Sequence, residues 1–161
     1  DRGALLVDVL HLPLAKVLGP LLHNEAAPPL FLAAERAVML AFGDSLFSLR
    51  LLPFLAACAS VPLLAGVAVR VLSPWPAAVA TGLFAVSDRL LWHACEAKPY
   101  SVDVFVAALV AYGFVRTADW RLANRGWLGA LVAPACIWIS FPACFVFGGV
   151  LLGLLPAAWR S

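Results

Sequence analysis

Two short polar runs in this 161-residue chain combine residue types that can do chemistry. The first, His23-Asn24-Glu25-Ala26-Ala27-Pro28-Pro29-Leu30-Phe31, leads through paired prolines into an apolar segment. The second opens with Asp88 and Arg89 and continues as Trp92-His93-Ala94-Cys95-Glu96-Ala97-Lys98-Pro99-Tyr100-Ser101-Val102-Asp103. A carboxylate beside a cation can hold a phosphate, orient an acceptor or act as acid or base. Pro99 interrupts the chain where one helix should end and another begin, which leaves Glu96, Lys98, Tyr100 and Asp103 at a helix boundary. If the next helix starts near Ser101, Tyr100 and Asp103 stand one turn apart on one face. His93 and Glu96 have the i, i+3 spacing of a metal pair, with no third ligand in view. Spacing alone favours a simpler reading, in which these groups pair with one another and solvate a loop.

The elements that must position these runs follow from composition. Apolar residues make up 64% of the chain and charged residues 12%, against roughly 45 to 50% and about 25% in ordinary globular chains. Mean hydropathy is +0.97, which is a membrane composition. A net charge of +2 gives no basic patch dense enough for a phosphate backbone, so nucleic acid is excluded as a partner. Nothing is poor enough in apolar residues to be disordered. Cys58, Cys95, Cys136 and Cys144 match no zinc or redox spacing and read as small buried hydrophobes.

A charge at mid-bilayer is expensive, so gaps between ionisable residues locate spanning segments. Residues 51–69 give 19 uncharged positions, 71–87 give 17, 104–115 give 12 and 126–159 give 34. As a single helix the last would measure about 51 Å, longer than a bilayer is thick. Ser140-Phe141-Pro142 is its natural break. Five spans result, at 49–70, 74–93, 101–116, 126–140 and 142–159, together forming a membrane-spanning bundle over 49–161. The segment 28–42 is apolar but short, carries Glu35 and Arg36, and ends at Gly43-Asp44. It reads as an interfacial helix within a loop over residues 1–48. The expected fold is therefore all-α, a polytopic transmembrane bundle with an interfacial helix in its first outward-facing loop. Arg116, Arg121 and Arg125 share one short loop with Asp119 alone, which makes that loop cytoplasmic. The turn at Arg70 and the terminal Arg160 then fall inside, while residues 1–48 and the stretch from Trp92 to Asp103 face outward. Trp75, Trp92, Trp120, Trp127 and Trp159 fall at span ends as an aromatic belt.

Taken in order, Asn24-Glu25-Ala26-Ala27-Pro28-Pro29-Leu30-Phe31, Phe42-Gly43-Asp44-Ser45, Leu49-Arg50-Leu51-Leu52-Pro53, Glu96-Ala97-Lys98-Pro99-Tyr100-Ser101 and Ser140-Phe141-Pro142-Ala143 resemble the GT-C class of integral-membrane glycosyltransferases. The similar branch is that of protein O-mannosyltransferases and lipid A aminoarabinose transferases, and the likeness runs from about residue 1 to residue 147. It implies transfer of a sugar from a polyprenyl-phosphate donor to a lipid, glycan or protein acceptor on the outer face of the membrane. It further implies that Glu96 and Asp103 are catalytic and that Lys98 contacts the donor phosphate; Tyr100, Arg89, Asn24 and Glu25, the other candidates of the two polar runs, are expected to bind substrate. Family members often carry His where this chain has residues 24–27. No cofactor is certain, and a divalent metal stays open. The family's usual base is an acidic pair at the outer end of the first transmembrane helix, a short way upstream of the stretch matching Asp1. The chain thus reads as a fragment, and the upstream sequence is expected to hold one more span ending in Asp-Glu.

The alternative is a non-catalytic polytopic membrane protein, such as part of a transporter. A transporter should place ionisable residues near mid-bilayer on broken helices, whereas here they sit at span ends, apart from Asp88 and Arg89. The Ala, Leu and Arg-rich style suggests a bacterial inner membrane.

Overall fold

The computed structural model describes residues 27–96 and 98–159. All regular structure among the described residues is helical: α1 (Pro29–Phe42), α2 (Leu46–Val71), α3 (Pro74–Ala85), α4 (Asp88–Ala94), α5 (Tyr100–Arg116), α6 (Leu122–Ile139) and α7 (Ala143–Trp159). The all-α expectation holds. Two of these helices, α2 with 26 residues and α6 with 18, are long and apolar enough to cross a membrane, and α7 has a shorter apolar stretch.

Local chemistry sets most of the boundaries. Proline at the first position of α1 supplies a pre-set φ and lacks a donor that the helix could not use there. The helix stops at Gly43, whose φ of +84° disfavours a side chain and whose N–H donates to the Met39 carbonyl at 2.9 Å. Ser45 then caps α2 by accepting the Ser48 N–H at 3.2 Å. At about 1.5 Å per residue α2 is roughly 39 Å long, although it contains Pro53 and Pro62.

Three boundaries differ from expectation. The span at 74–93 is two helices, because Val86 ends α3 and Ser87 is extended, with ψ 123°. Ser and Asp compete for backbone hydrogen bonds in a helix interior and favour its start. Here Asp88 accepts its neighbour's N–H, that of Arg89, at 2.7 Å. At the other end of the bundle, α6 begins four residues before 126, with Arg125 inside it. Arg125 leaves the loop because its Nη2 donates to the Phe114 carbonyl at 3.2 Å and its guanidinium lies 4.5 Å from the Phe114 ring centre. The 49–70 span starts earlier, at Leu46, under the Ser45 cap.

Side-chain contacts fix the helix directions. Arg70, near the end of α2, lies 5.8 Å from the ring of Tyr112, near the end of α5. Ala57 of α2 clusters with Val104 of α5, so these two helices run in parallel. The chain returns between them through α3 and α4, both packed along α2, with Leu90 and Ala94 against Ala57. Because Arg125 touches Phe114 and Ser140 adjoins Asp103, α6 runs opposite to α5. Gly153 beside Phe114 turns α7 parallel to α5 again. The bundle therefore has two ends. One gathers the start of α2, the α4–α5 junction and the turn at 140–142. The other gathers the α2–α3 turn, the α5–α6 loop and the end of α7.

On the first of these ends lies α1, packed against α2 and α6. Its Phe31, Leu32 and Met39 join Leu49, Ala56, Val102, Val106, Cys136 and Ala143 in one buried cluster. Of the cysteines, only Cys136 is buried, while Cys58, Cys95 and Cys144 are exposed. The expectation of buried cysteines thus fails for three: Cys58 and Cys144 sit on exposed faces of α2 and α7, and Cys95 in the α4–α5 junction. All six tryptophans are exposed.

Candidate functional site

The α4–α5 junction brings four chemically capable side chains together. His93 is in the last turn of α4, and the chain folds tightly after it, with the Cys95 N–H bonded to the Trp92 carbonyl and that of Glu96 to the His93 carbonyl. Pro99 then caps α5, its carbonyl taking the Asp103 N–H at 2.8 Å. This fold places His93 Nδ1 3.1 Å from Glu96 Oε2, with each side chain about one-third exposed, at 34% and 33%. The His93 and Tyr100 rings are 4.8 Å apart at a 60° tilt. Lys98 Nζ stands 5.9 Å from the centre of the Tyr100 ring.

The hydrogen bond with His93 holds the Glu96 carboxyl below its ordinary value, against a small opposing effect of burial and with the Lys98 charge as a lesser aid. A carboxylate that fixes one nitrogen of an imidazole leaves the other free to take a proton, which is the arrangement of an oriented general base. The adjacent ammonium of Lys98 supplies a point charge for an anion. Spacing at i, i+3 thus proves to be a carboxylate–histidine hydrogen bond. Among the described residues no three His, Cys, Asp or Glu side chains group as metal ligands.

Other candidates fall elsewhere. Asp103 shares the first turn of α5 with Tyr100, but its carboxyl adjoins the Ser140 hydroxyl rather than the His93 group. Its Oδ1 is buried without a hydrogen-bond partner, as are Ser101 Oγ and Ser140 Oγ. Arg89 lies one turn before His93 on α4 and is exposed. Asn24 and Glu25 lie outside the described residues.

Glu35 is a residue that sequence reasoning misses, since in the sequence it only interrupts an apolar segment. It is 1% exposed, and neither carboxyl oxygen has a hydrogen-bond partner. Burial pushes its pKa up to about 8. Its spacing from Phe31, Leu32 and Met39, at four, three and four residues, puts it on the apolar stripe of α1. That spacing was the available signal. Ser140 was likewise read only as part of a turn.

Comparison with protein-family models, with curated proteins and with solved structures found no match.

Proposed function

We propose that this protein moves a sugar from a polyprenyl-phosphate donor to a lipid, glycan or protein acceptor at the outer face of a membrane, as the GT-C glycosyltransferases it resembles do. The observation that carries the reading is the His93–Glu96 pair beside Lys98 and Tyr100 at one end of the bundle. In a direct displacement, the acceptor oxygen forms a bond to the anomeric carbon as the bond from that carbon to the phosphate oxygen breaks. The acceptor proton passes to the His93–Glu96 pair, and the phosphate leaves with its charge beside Lys98. Asp103 is a second carboxylate at the same end. The donor's lipid tail is held in the bilayer, so its phosphate arrives at the rim, where this junction would lie.

The accompanying topology is a five-span bundle in a bacterial inner membrane, with α3 and α4 together making one broken crossing and α1 lying at the interface. It is supported by the alternating helix directions and by the separation of Arg70, Arg116 and Arg121 from the His93 junction.

Transfer assays on the protein in detergent or vesicles test the reading. Glu96→Gln and Lys98→Ala should each cut turnover by about 100-fold, the scale of a lost general base or charge contact, with membrane insertion intact. Wild-type turnover in both variants would return the junction to a solvated ion-pair loop.

A further inference from the structure

Glu35 is unlike every other carboxylate in the described residues: it is nine-tenths and more buried, and both its oxygens lack partners. Orphaned buried polar atoms are rare, because each forfeits its hydrogen bonds to water with nothing in return. A helix that merely docked α1 on the bundle would use leucine at this place, as it does at Leu32 one turn earlier. The apolar residues flanking Glu35 on its own face, Phe31, Leu32 and Met39, belong to the cluster that also contains Val102, Cys136 and Ala143. Ser101 and Asp103 flank Val102, and Ser140 lies three residues before Ala143; their orphaned atoms are Oγ, Oδ1 and Oγ. Glu35, Ser101 and Ser140 are thus buried with orphaned oxygens, and Asp103 is half-buried with one orphaned oxygen beside Ser140, on elements that share this core at the same end of the bundle as His93 and Glu96.

Their chemistry selects an occupant. Serine hydroxyls donate and accept, and carboxyl groups accept or, when protonated, also donate. Among the described residues no basic side chain is buried with them, so the set as described is not one made for an anion. A polyhydroxylated ring, each of whose hydroxyls both donates and accepts, satisfies such a mixed set. We propose that Glu35 is a sugar-binding residue, contributed by α1 to a buried site for the glycosyl group of the donor, with Ser101, Asp103 and Ser140 as its other hydrogen-bonding groups. The proposal rests on the glycosyltransferase reading and deepens it. The raised pKa of Glu35 fits a neutral carboxyl able to give as well as take a hydrogen bond at pH 7.

The test measures binding of decaprenyl phosphate carrying a hexose, an N-acetylhexosamine or a pentose, each against bare decaprenyl phosphate, to the protein in nanodiscs. In the wild type at least one sugar should tighten binding over the bare lipid. Glu35→Leu should cut that sugar-dependent gain by about tenfold, a change of about 1.4 kcal/mol, with affinity for bare decaprenyl phosphate unchanged. Glu35→Met repeats the measurement with a different apolar side chain should the leucine variant fold poorly, and Glu35→Gln should retain most of the gain. A sugar-dependent gain equal in the wild type and both apolar variants overturns the role of Glu35 and leaves the transfer reading standing. No gain with any of the three sugars in the wild type overturns both.

Discussion

Glu96 and Glu35 are the same side chain placed in opposite surroundings, and their protonation should follow. At the α4–α5 junction a hydrogen bond to His93 keeps Glu96 charged below the usual carboxylate range. Within the α1 face nothing offsets burial, and the Glu35 pKa rises to about 8 from an ordinary 4.5. Between those two values the folded protein holds a proton on Glu35 that the unfolded chain has lost. Unfolding then releases a proton, so stability falls as pH rises from about 4.5 to about 8, with a limiting slope of about 1.4 kcal/mol per pH unit. Glu96 acts in the opposite sense and lower on the scale: its contribution is present above about 4.5 and lost as pH drops through its depressed folded value. Denaturation in detergent at a series of pH values should therefore show the alkaline decline in the wild type and a flatter curve in Glu35→Gln. An unchanged slope in that variant would mean that another group titrates. The sequence displayed Glu96 openly, beside His93 and Lys98 in a polar run. Glu35 was hidden by its context, because a carboxylate inside an apolar stretch reads equally as a solvent-facing interruption until the helix phase is known.

Among the elements, α2 and α5 meet at a glycine, Gly66, set against the Tyr112 ring. A Cβ added at Gly66 would stand 2.5 Å from Cε2 of the Tyr112 ring, and that ring also carries Arg70 at 5.8 Å. The ring has no room to remain in place beside a larger side chain. Gly66→Leu should push α2 and α5 apart and cost about 1 to 3 kcal/mol, the usual range for an overpacked contact. Gly82→Leu, at a glycine with nothing within 4 Å of the added Cβ, is the matched control and should cost far less. Equal melting temperatures for the two variants would show that this contact does not hold the bundle. Charge gaps located α2, α5 and α7 well, since those helices end where charges or turn residues stand. They failed at Ser87, where an uncharged N-cap breaks an uncharged run, and at Arg125, where a charged residue belongs to a helix because the ring and the carbonyl of Phe114 receive it. Hydropathy records neither kind of partner.

At the scale of the whole molecule, the two ends of the bundle differ in character. Arg70, Arg116 and Arg121 gather at one end with Asp119 as the carboxylate beside them, whereas at the other Arg50 and Lys98 stand among Asp44, Glu96 and Asp103. In water such polarity would be incidental; in the proposed bilayer topology the short arginine-rich loop would be the cytoplasmic one. The exposed cysteines give a way to separate the two cases. Cys58 lies midway along α2 on an outward face, and Cys95 lies in the α4–α5 junction. If α2 crosses a membrane, Cys58 faces hydrocarbon and is shielded from a membrane-impermeant maleimide, whereas Cys95 reacts when the reagent is added outside intact cells. With Cys144 and Cys136 changed to Ser, Cys95 alone should be labelled from outside, and Cys58 should become labelled only after the membrane is dissolved. A cysteine placed at Ala118, exposed in the α5–α6 loop, should react only from the cytoplasmic side. Labelling of Cys58 equal to that of Cys95 without detergent would argue that these apolar faces meet water or another protein. Labelling of Cys95 from the cytoplasm alone would invert the topology, and an outward-facing transfer site at this junction would fall with it.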